Sequence, residues 1–393
     1  MRLLARLATA VLLTVTPVAA GTASAAAPEP TPAPLLTSKN AIPGSYIVTL
    51  DKSLDPAKFA ASVGVKPTFT YTTAINGFAT TLNATQLRNA RLSKGVVSVE
   101  EDSQVSAPPV PGPASGTKSP AFSWGLDRID QRFLPLDNNF SAHGSGQGVT
   151  AYIVDSGIDF THPDFGGRAV RGFDAIGDGR NGADCNGHGT HVAGTVGGAS
   201  FGVARKSTLV SVRVLGCDGR GPWSGIIAGF DWVARNAHQP AVLNASLGGD
   251  RSTAVNNAAT AVSDRGVLPV IAAGNDNRDA CQVSPASAVR VETVGATNRF
   301  DEETGFSNWG ECLDIYAPGQ DIVSARLGGG SVALNGTSMA APHVTGVAAL
   351  YKAEHPNALP AEVHNFLSDK STKDVIENLS DNSPNQLLFT NGL

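Results

Sequence analysis

Three short segments hold side chains from which acyl transfer can be built. Asp155 closes the apolar run Ala151-Tyr-Ile-Val154, His188 lies in Asn186-Gly-His-Gly-Thr-His-Val-Ala-Gly194, and Ser338 lies in Gly336-Thr-Ser-Met-Ala-Ala-Pro-His-Val344. A serine hydroxyl is a poor nucleophile. It needs a neutral imidazole to take its proton and a carboxylate to hold that imidazole in the right tautomer. Ser338, His188 and Asp155 are the candidates for those roles. A fourth segment, Ile271-Ala-Ala-Gly-Asn275, ends in an amide that can donate an N–H to a developing oxyanion. Such a donor is worth about 3–4 kcal/mol.

Each segment also has a plainer reading. An Asp followed by Ser-Gly makes a common turn, Thr and Ser cap helices well, and Asn after Gly suits a left-handed turn. His188 and His191 would be a metal pair if a third ligand lay nearby in sequence, and none does. All three segments together, in the order Asp, His, Ser, favour catalysis. An esterase of the G-x-S-x-G type is disfavoured, because position 340 is Ala.

The elements that must position these residues follow from patterning. In residues 45–50 the alternation reads as a strand. Asp55-Pro56 opens a helix to Val63. Residues 69–82 read as strands, 84–92 as a helix and 96–99 as a closing strand. The order β-α-β-β-α-β predicts a small α+β domain of the ferredoxin-like kind over residues 44–107. Residues 108–120, rich in Pro, Gly and Ser, read as a linker. From about Trp124, near-continuous apolar strands at 149–154, 208–215, 241–244, 267–272 and 291–294 alternate with helical stretches at 188–197, 224–236, 252–264, 338–354 and 360–367. This predicts an α/β domain over 121–393, a parallel sheet with helices on both faces. Asp155 then sits at a strand's C-terminal end, the edge where such sheets bind ligands. Ser338 sits at a helix start, where the dipole favours negative charge.

The chain has 393 residues, 41% hydrophobic and 16% charged, with net charge −5 and 43 glycines. More than one folding unit is expected. No basic run exists to track a phosphate backbone, so nucleic acid is excluded as a partner. Arg2 and Arg6, the apolar stretch from residue 7 to 20, and Ala23-Ser-Ala25 read as a secretory signal peptide over 1–25. The protein is therefore expected outside the cell, free of the membrane once the signal is removed. Export permits disulfides among Cys185, Cys217, Cys281 and Cys312; spacing alone cannot choose among the three pairings.

The motifs Val154-Asp-Ser-Gly157, His188-Gly-Thr-His-Val-Ala-Gly194, Asn244-Ala-Ser-Leu-Gly-Gly249, Ala273-Gly-Asn275 and Gly336-Thr-Ser-Met-Ala340 make the chain resemble the subtilisin superfamily, in its proteinase K and aqualysin branch. Residues 44–107, including Val99-Glu-Glu-Asp102, resemble the propeptide of the same proteins. The resemblance implies a serine endopeptidase, monomeric and secreted, with its own propeptide as intramolecular chaperone and inhibitor and polypeptides as substrates. An inactive homologue would lack a residue of the triad or the oxyanion hole, and none is missing. The matching substrate segments are Gly219, Arg220 and Gly221, and Ser246, Leu247 and Gly248, between which a peptide would add as a strand. Ala272, Ala273, Gly248 and Gly249 would line an open, uncharged primary pocket, implying broad specificity that leans to apolar and aromatic residues. Trp223 would border an outer pocket or simply fill the core. The resemblance pairs Cys185 with Cys217 and Cys281 with Cys312. It also implies one or two structural Ca²⁺ sites: Asp127, Asp130, Gln131, Asp137 and Asn139 for one, and Asp314 with the carbonyls of Val289 and Val291 for the other. Cleavage between precursor and mature enzyme is expected within about 103–121, where Pro108, Pro109 and Pro111 make several bonds poor sites.

Overall fold

Local signals start several of the helices where the sequence places them. The computed structural model describes residues 31–107 and 123–393; the expected signal peptide and linker lie outside these. The first elements are β1 (Leu35–Leu36), β2 (Ala41–Leu50), α1 (Pro56–Ser62), β3 (Phe69–Tyr71), β4 (Gly77–Thr81), α2 (Ala84–Leu92) and β5 (Val96–Ser106). Asp55 caps α1 by accepting from the Lys58 N–H, and Asn83 with Gln86 forms a capping box on α2. The strands order as β1-β5-β2-β4-β3. Successive residues of β2 face opposite ways. Val48 joins Phe78, Leu82, Ala90 and Val99 in a small core with the two helices, whereas Ile47, Tyr71 and Ala79 join the larger core described below. β5 runs seven residues beyond the end expected at Val99, because its last three residues find a partner strand far along the chain.

The second set comprises α3 (Trp124–Ile129), β6 (Thr150–Asp155), β7 (Ala169–Asp174), α4 (His188–Gly197), β8 (Thr208–Arg213), β9 (Arg220–Pro222), α5 (Trp223–Asn236), β10 (Ala241–Ala245), β11 (Gly249–Asp250), α6 (Thr253–Asp264), β12 (Leu268–Ala272), β13 (Val283–Ser284), β14 (Glu292–Thr297), β15 (Ile315–Pro318), β16 (Ile322–Ala325), β17 (Ser331–Leu334), α7 (Thr337–Glu354), α8 (Pro360–Lys370), β18 (Thr372–Lys373) and β19 (Gln386–Leu387). Nine strands form one sheet in the order β18-β19-β15-β14-β12-β10-β6-β8-β7. All pair in parallel except β18, which runs antiparallel to β19.

Both faces of the sheet are covered, as the apolar strands predict. In β6, Ala151 and Ile153 pack with α4 and α7 residues such as Val192 and Val344. Tyr152 and Val154 face the opposite core, with Ile226 and Phe230 of α5 and Val255 of α6. The edge strands β7 and β18, the inner strands β15 and β19 and the short pairs β11–β13 and β16–β17 carry no periodic signal in the sequence, being too short or too polar. Residues 32–393 cluster as one unit.

From β6 the chain moves out to β7 and β8, then returns past β6 to β10. The sheet therefore changes direction at β6, and a crevice opens at the carboxyl ends of β6 and β10.

Candidate functional site

The Asp155 carboxylate ends β6 in that crevice and is fully buried. Its Oδ1 accepts from His188 Nδ1 at 2.8 Å and from the Ser156 N–H at 2.7 Å. The carboxylate partner fixes the neutral ring as the Nδ1–H tautomer and leaves Nε2 as the basic lone pair. No hydrogen bond engages Nε2. Burial pushes the His188 imidazole down, but the charge and hydrogen bond of Asp155 outweigh it, with help from Asp184, and the pKa is raised. His188 opens α4, whose first turn presses on the β6 loop. A Cβ at Gly189 would lie 2.2 Å from the Gly157 carbonyl oxygen, so only glycine fits there.

Ser338 lies in the first turn of α7. Its hydroxyl donates to the Ser246 carbonyl at 3.3 Å. Asn275 is turned by a residue that sequence reading did not single out. Thr337 donates both its N–H (2.8 Å) and its hydroxyl (3.0 Å) to Asn275 Oδ1, which leaves Asn275 Nδ2 for the cleft. Gly274, at φ +105°, makes the turn, and a Cβ there would lie 2.3 Å from Asn308 Nδ2. His191, by contrast, spends Nε2 on the carbonyls of Ile322 and Val332. Burial first, then the neighbouring His188, holds its pKa down to about 3. It is a neutral packing residue, and no metal pair with His188 forms.

A cleft of about 560 Å³ joins Ser338, Thr337, Asn275, Gly274, Ala272, Leu247, Gly248 and Gly249. Ala273, expected in the pocket wall, instead packs with Tyr316 and Leu313 beneath it. Strand alternation explains this: consecutive residues point oppositely. Ser246 is also buried, away from the cleft. Trp223 is buried too and lines the wall through Gly249, where an added Cβ would lie 3.1 Å from the indole.

The cleft already holds a peptide. Gln104, Val105 and Ser106 of β5 pair antiparallel with Pro222, Gly221 and Arg220 of β9, and the Ala107 N–H donates to the Gly219 carbonyl at 2.9 Å. Val105 is buried against Gly249. Carboxylates from either side hold this arrangement. Asp102 accepts from the Ser224 N–H (3.0 Å) and hydroxyl (2.6 Å) at the start of α5. Glu100 accepts from the Ala254 N–H at the start of α6. Anions at helix N-termini are stabilised by the free N–H groups and the dipole. In return, Asp231 of α5 gathers the N–H groups of Thr72, Thr73 and Ala74 on one oxygen at 2.7–3.1 Å. Glu100 and Asp102 lie in the motif noted in the sequence; Asp231 carries no local signal.

The two disulfides, Cys185–Cys217 and Cys281–Cys312, are formed. The first ties the segment before His188 to the turn before Gly219.

The calcium candidates differ in fit. Asp127, in the last turn of α3, accepts from the Asp137 N–H at 3.2 Å, and Asp130 is near enough to feel both charges. Burial raises the pKa of Asp127 and Asp130, and the mutual repulsion of the three carboxylates raises it further. Gln131 Nε2 donates to the Pro135 carbonyl at 2.9 Å, and Asn139 Nδ2 to that of Asp137 at 3.4 Å. Both amides keep their oxygens available, so this all-oxygen set fits a hard dication. The second set fits less well. The Val289 carbonyl accepts from the Thr260 hydroxyl at 2.9 Å. Beside Asp314, His364 is pushed up to about 9, chiefly by its hydrogen bond to Glu292, and is cationic.

The Subtilase family profile matches residues 146–391, and the peptidase inhibitor I9 profile matches residues 57–108. The chain is 44% identical over 387 residues to an extracellular serine proteinase of Thermus sp. (strain Rt41A), covering 91% of this chain and 92% of that one. It is 45% identical over 339 residues to alkaline serine exoprotease A of Vibrio alginolyticus, covering 86% of this chain and 62% of that one. Among solved structures, a cold-adapted subtilisin-like serine proteinase superposes with a TM-score of 0.68 at 48% identity, over 69% of this chain and 99% of that chain.

Proposed function

Because the chain belongs to the subtilase family and is a serine endopeptidase made with an I9 propeptide, we propose that it is secreted and hydrolyses polypeptides through Asp155, His188 and Ser338, after releasing its own propeptide. The observation that carries this reading is the strand from Gln104 to Ala107, laid along β9 and ending in the cleft with Ser338. Backbone pairing of that kind accepts many sequences, since the ladder bonds do not depend on side chains.

In the reaction, His188 Nε2 takes the proton as Ser338 Oγ attacks the carbonyl carbon. The Ser338 hydroxyl must first leave the Ser246 carbonyl and turn to Nε2. Asp155 holds the ring and stabilises the imidazolium that forms. Asn275 Nδ2 and the helix start at Ser338 meet the oxyanion. His188 then protonates the leaving amine, and water completes the second half in reverse. Gly219, Arg220 and Gly221 on one side and Leu247 and Gly248 on the other would hold the substrate strand. The small residues Ala272, Gly248 and Gly249 leave an uncharged pocket for broad, apolar or aromatic side chains.

Asp127, Asp130, Gln131, Asp137 and Asn139 would hold Ca²⁺, which supplies positive charge to the carboxylate cluster. No chemical step involves it. Residues 1–25 would be the signal peptide, 44–107 the inhibitor unit, 108–120 the linker and 121–393 the peptidase unit. The extracellular designation of the Thermus relative supports export.

Intact mass measurement of wild type and Ser338→Ala, secreted from a host without extracellular proteases, tests the reading. The variant should retain residues from about 26 onward; wild type should lose roughly the first 103–121. Trimming of the variant at the wild-type bond would make another protease the processor. Casein hydrolysis abolished by a serine-directed inhibitor in wild type checks the activity itself.

A further inference from the structure

Pro342 sits inside α7, four residues after Ser338. In an uninterrupted helix the N–H of residue 342 would bond to the Ser338 carbonyl. Proline has no N–H, so the nucleophile's own carbonyl loses its helical partner. A buried carbonyl needs another donor, and Ser246 supplies it: its hydroxyl donates to the Ser338 carbonyl at 2.9 Å.

The direction of that hydroxyl is dictated from behind. Asn244 Nδ2 donates to Ser246 Oγ at 2.9 Å, and the Thr345 hydroxyl donates to Asn244 Oδ1 at 2.8 Å. With the Asn244 amide donating to it, the Ser246 oxygen aims its single proton at Ser338. Thr345, Asn244 and Ser246 are all fully buried, so no water competes for these bonds. The chain begins two turns down α7, crosses to β10 and returns to the first turn of α7. Ser246 also accepts the Ser338 hydroxyl on its carbonyl and leads directly into Leu247 and Gly248 of the cleft wall. Nucleophile and wall are thereby joined through one residue.

We propose that Ser246 is a positioning residue for Ser338, held in its working orientation by Asn244 and Thr345, and that it replaces the helix bond Pro342 removes. This rests on the reading of Ser338 as the nucleophile. The alignment matters because a small misplacement of reacting atoms lowers the rate without weakening substrate binding.

The test is kcat and KM on a peptide p-nitroanilide, normalised to sites titrated with a sulfonyl fluoride, for Ser246→Ala, Pro342→Ala and the double variant. Ser246→Ala should lower kcat by roughly 10-fold with KM changed by less than about 2-fold. Pro342→Ala supplies a main-chain N–H to the Ser338 carbonyl, so the double variant should recover most of that loss. Ser246→Ala with wild-type kcat overturns the proposal, as does a loss that Pro342→Ala leaves uncorrected. Should Ser246→Ala fail to mature, Thr345→Val is expected to lower kcat by about 3-fold while Thr345→Ser restores it; wild-type kcat in both would overturn the proposal equally. A wild type without inhibitor-sensitive activity would instead remove the catalytic reading on which the proposal stands.

Discussion

At the scale of single residues, the site separates groups that act from groups that aim them. Asn275 is held by Thr337 through two bonds to its amide oxygen, and in the proposed reaction its donor would matter only once negative charge develops. Asn275→Ala should therefore lower kcat by about 10²–10³ with KM nearly unchanged. Steady-state kinetics decide this, and a raised KM with intact kcat would assign Asn275 to ground-state binding. His188 gives a pH prediction with a definite sign. In the proposed reaction it must be neutral to accept the Ser338 proton, and Asp155 raises its pKa. Activity is thus lost as pH falls through a value above the usual ~6.5 of histidine. The acid limb of kcat/KM measures it, and a limb below that value would contradict the assignment of the base.

At the scale of elements, one observed attachment and one proposed ion site each give a prediction. His364 of α8 donates to Glu292 Oε2 of β14 at 2.7 Å. Glu292 is fully buried and its other oxygen has no partner. Burial pushes Glu292 up to about 7, and the pair raises His364 to about 9. Both raised values mean that the folded state holds protons more tightly than the unfolded chain, so the pair stabilises most at low pH and loses stability as pH rises through those values. His364→Ala removes the group whose raised pKa carries that stability. The melting temperature should therefore fall more at pH 5.5 than at pH 9.5, above the raised value; equal deficits at both would show that the protonated ring is not the cause. The segment after α3 gives the second case. Chelation should lower the temperature of inactivation, because a bound ion stabilises the folded state by mass action, yet leave prompt activity in the cold intact. Identical inactivation curves with calcium and chelator would remove the ion from that loop.

At the scale of the whole molecule, the inhibitor unit and the peptidase unit complete one another. Ile47, Tyr71 and Ala79 of the first share a core with Ile227 and Phe230 of the second, and Glu100 and Asp102 cap two helices of the second. The parallel sheet joins distant segments and is intrinsically slow to form. A preformed surface that fixes the starts of α5 and α6 would give the propeptide a physical role in folding, beside its role as inhibitor. Ala107 of the same segment lines the cleft with Ser338, which is why the precursor is expected to cut itself.

The sequence alone determined the triad candidates, the candidate oxyanion donor and the succession of apolar strands and helices, because these are local: an apolar run closed by Asp, a glycine-bracketed histidine, a serine at a helix start. It could not choose the disulfide pairing from spacing, since closure depends on where chain segments meet. Nor could it separate Ala272, in the cleft, from Ala273, in the core, or tell that Ser246 turns inward while Leu247 and Gly248 face the cleft; a one-residue change of face follows from the exact ends of β12 and β10. The reach of β5 to Ser106, the grip of Asp231 on the N–H groups of Thr72, Thr73 and Ala74, and the bond from Ser246 that replaces what Pro342 removes all join residues more than 90 positions apart. Only tertiary structure decided these, because a hydrogen bond formed in a buried place is set by which surfaces pack together, and no local pattern carries that information.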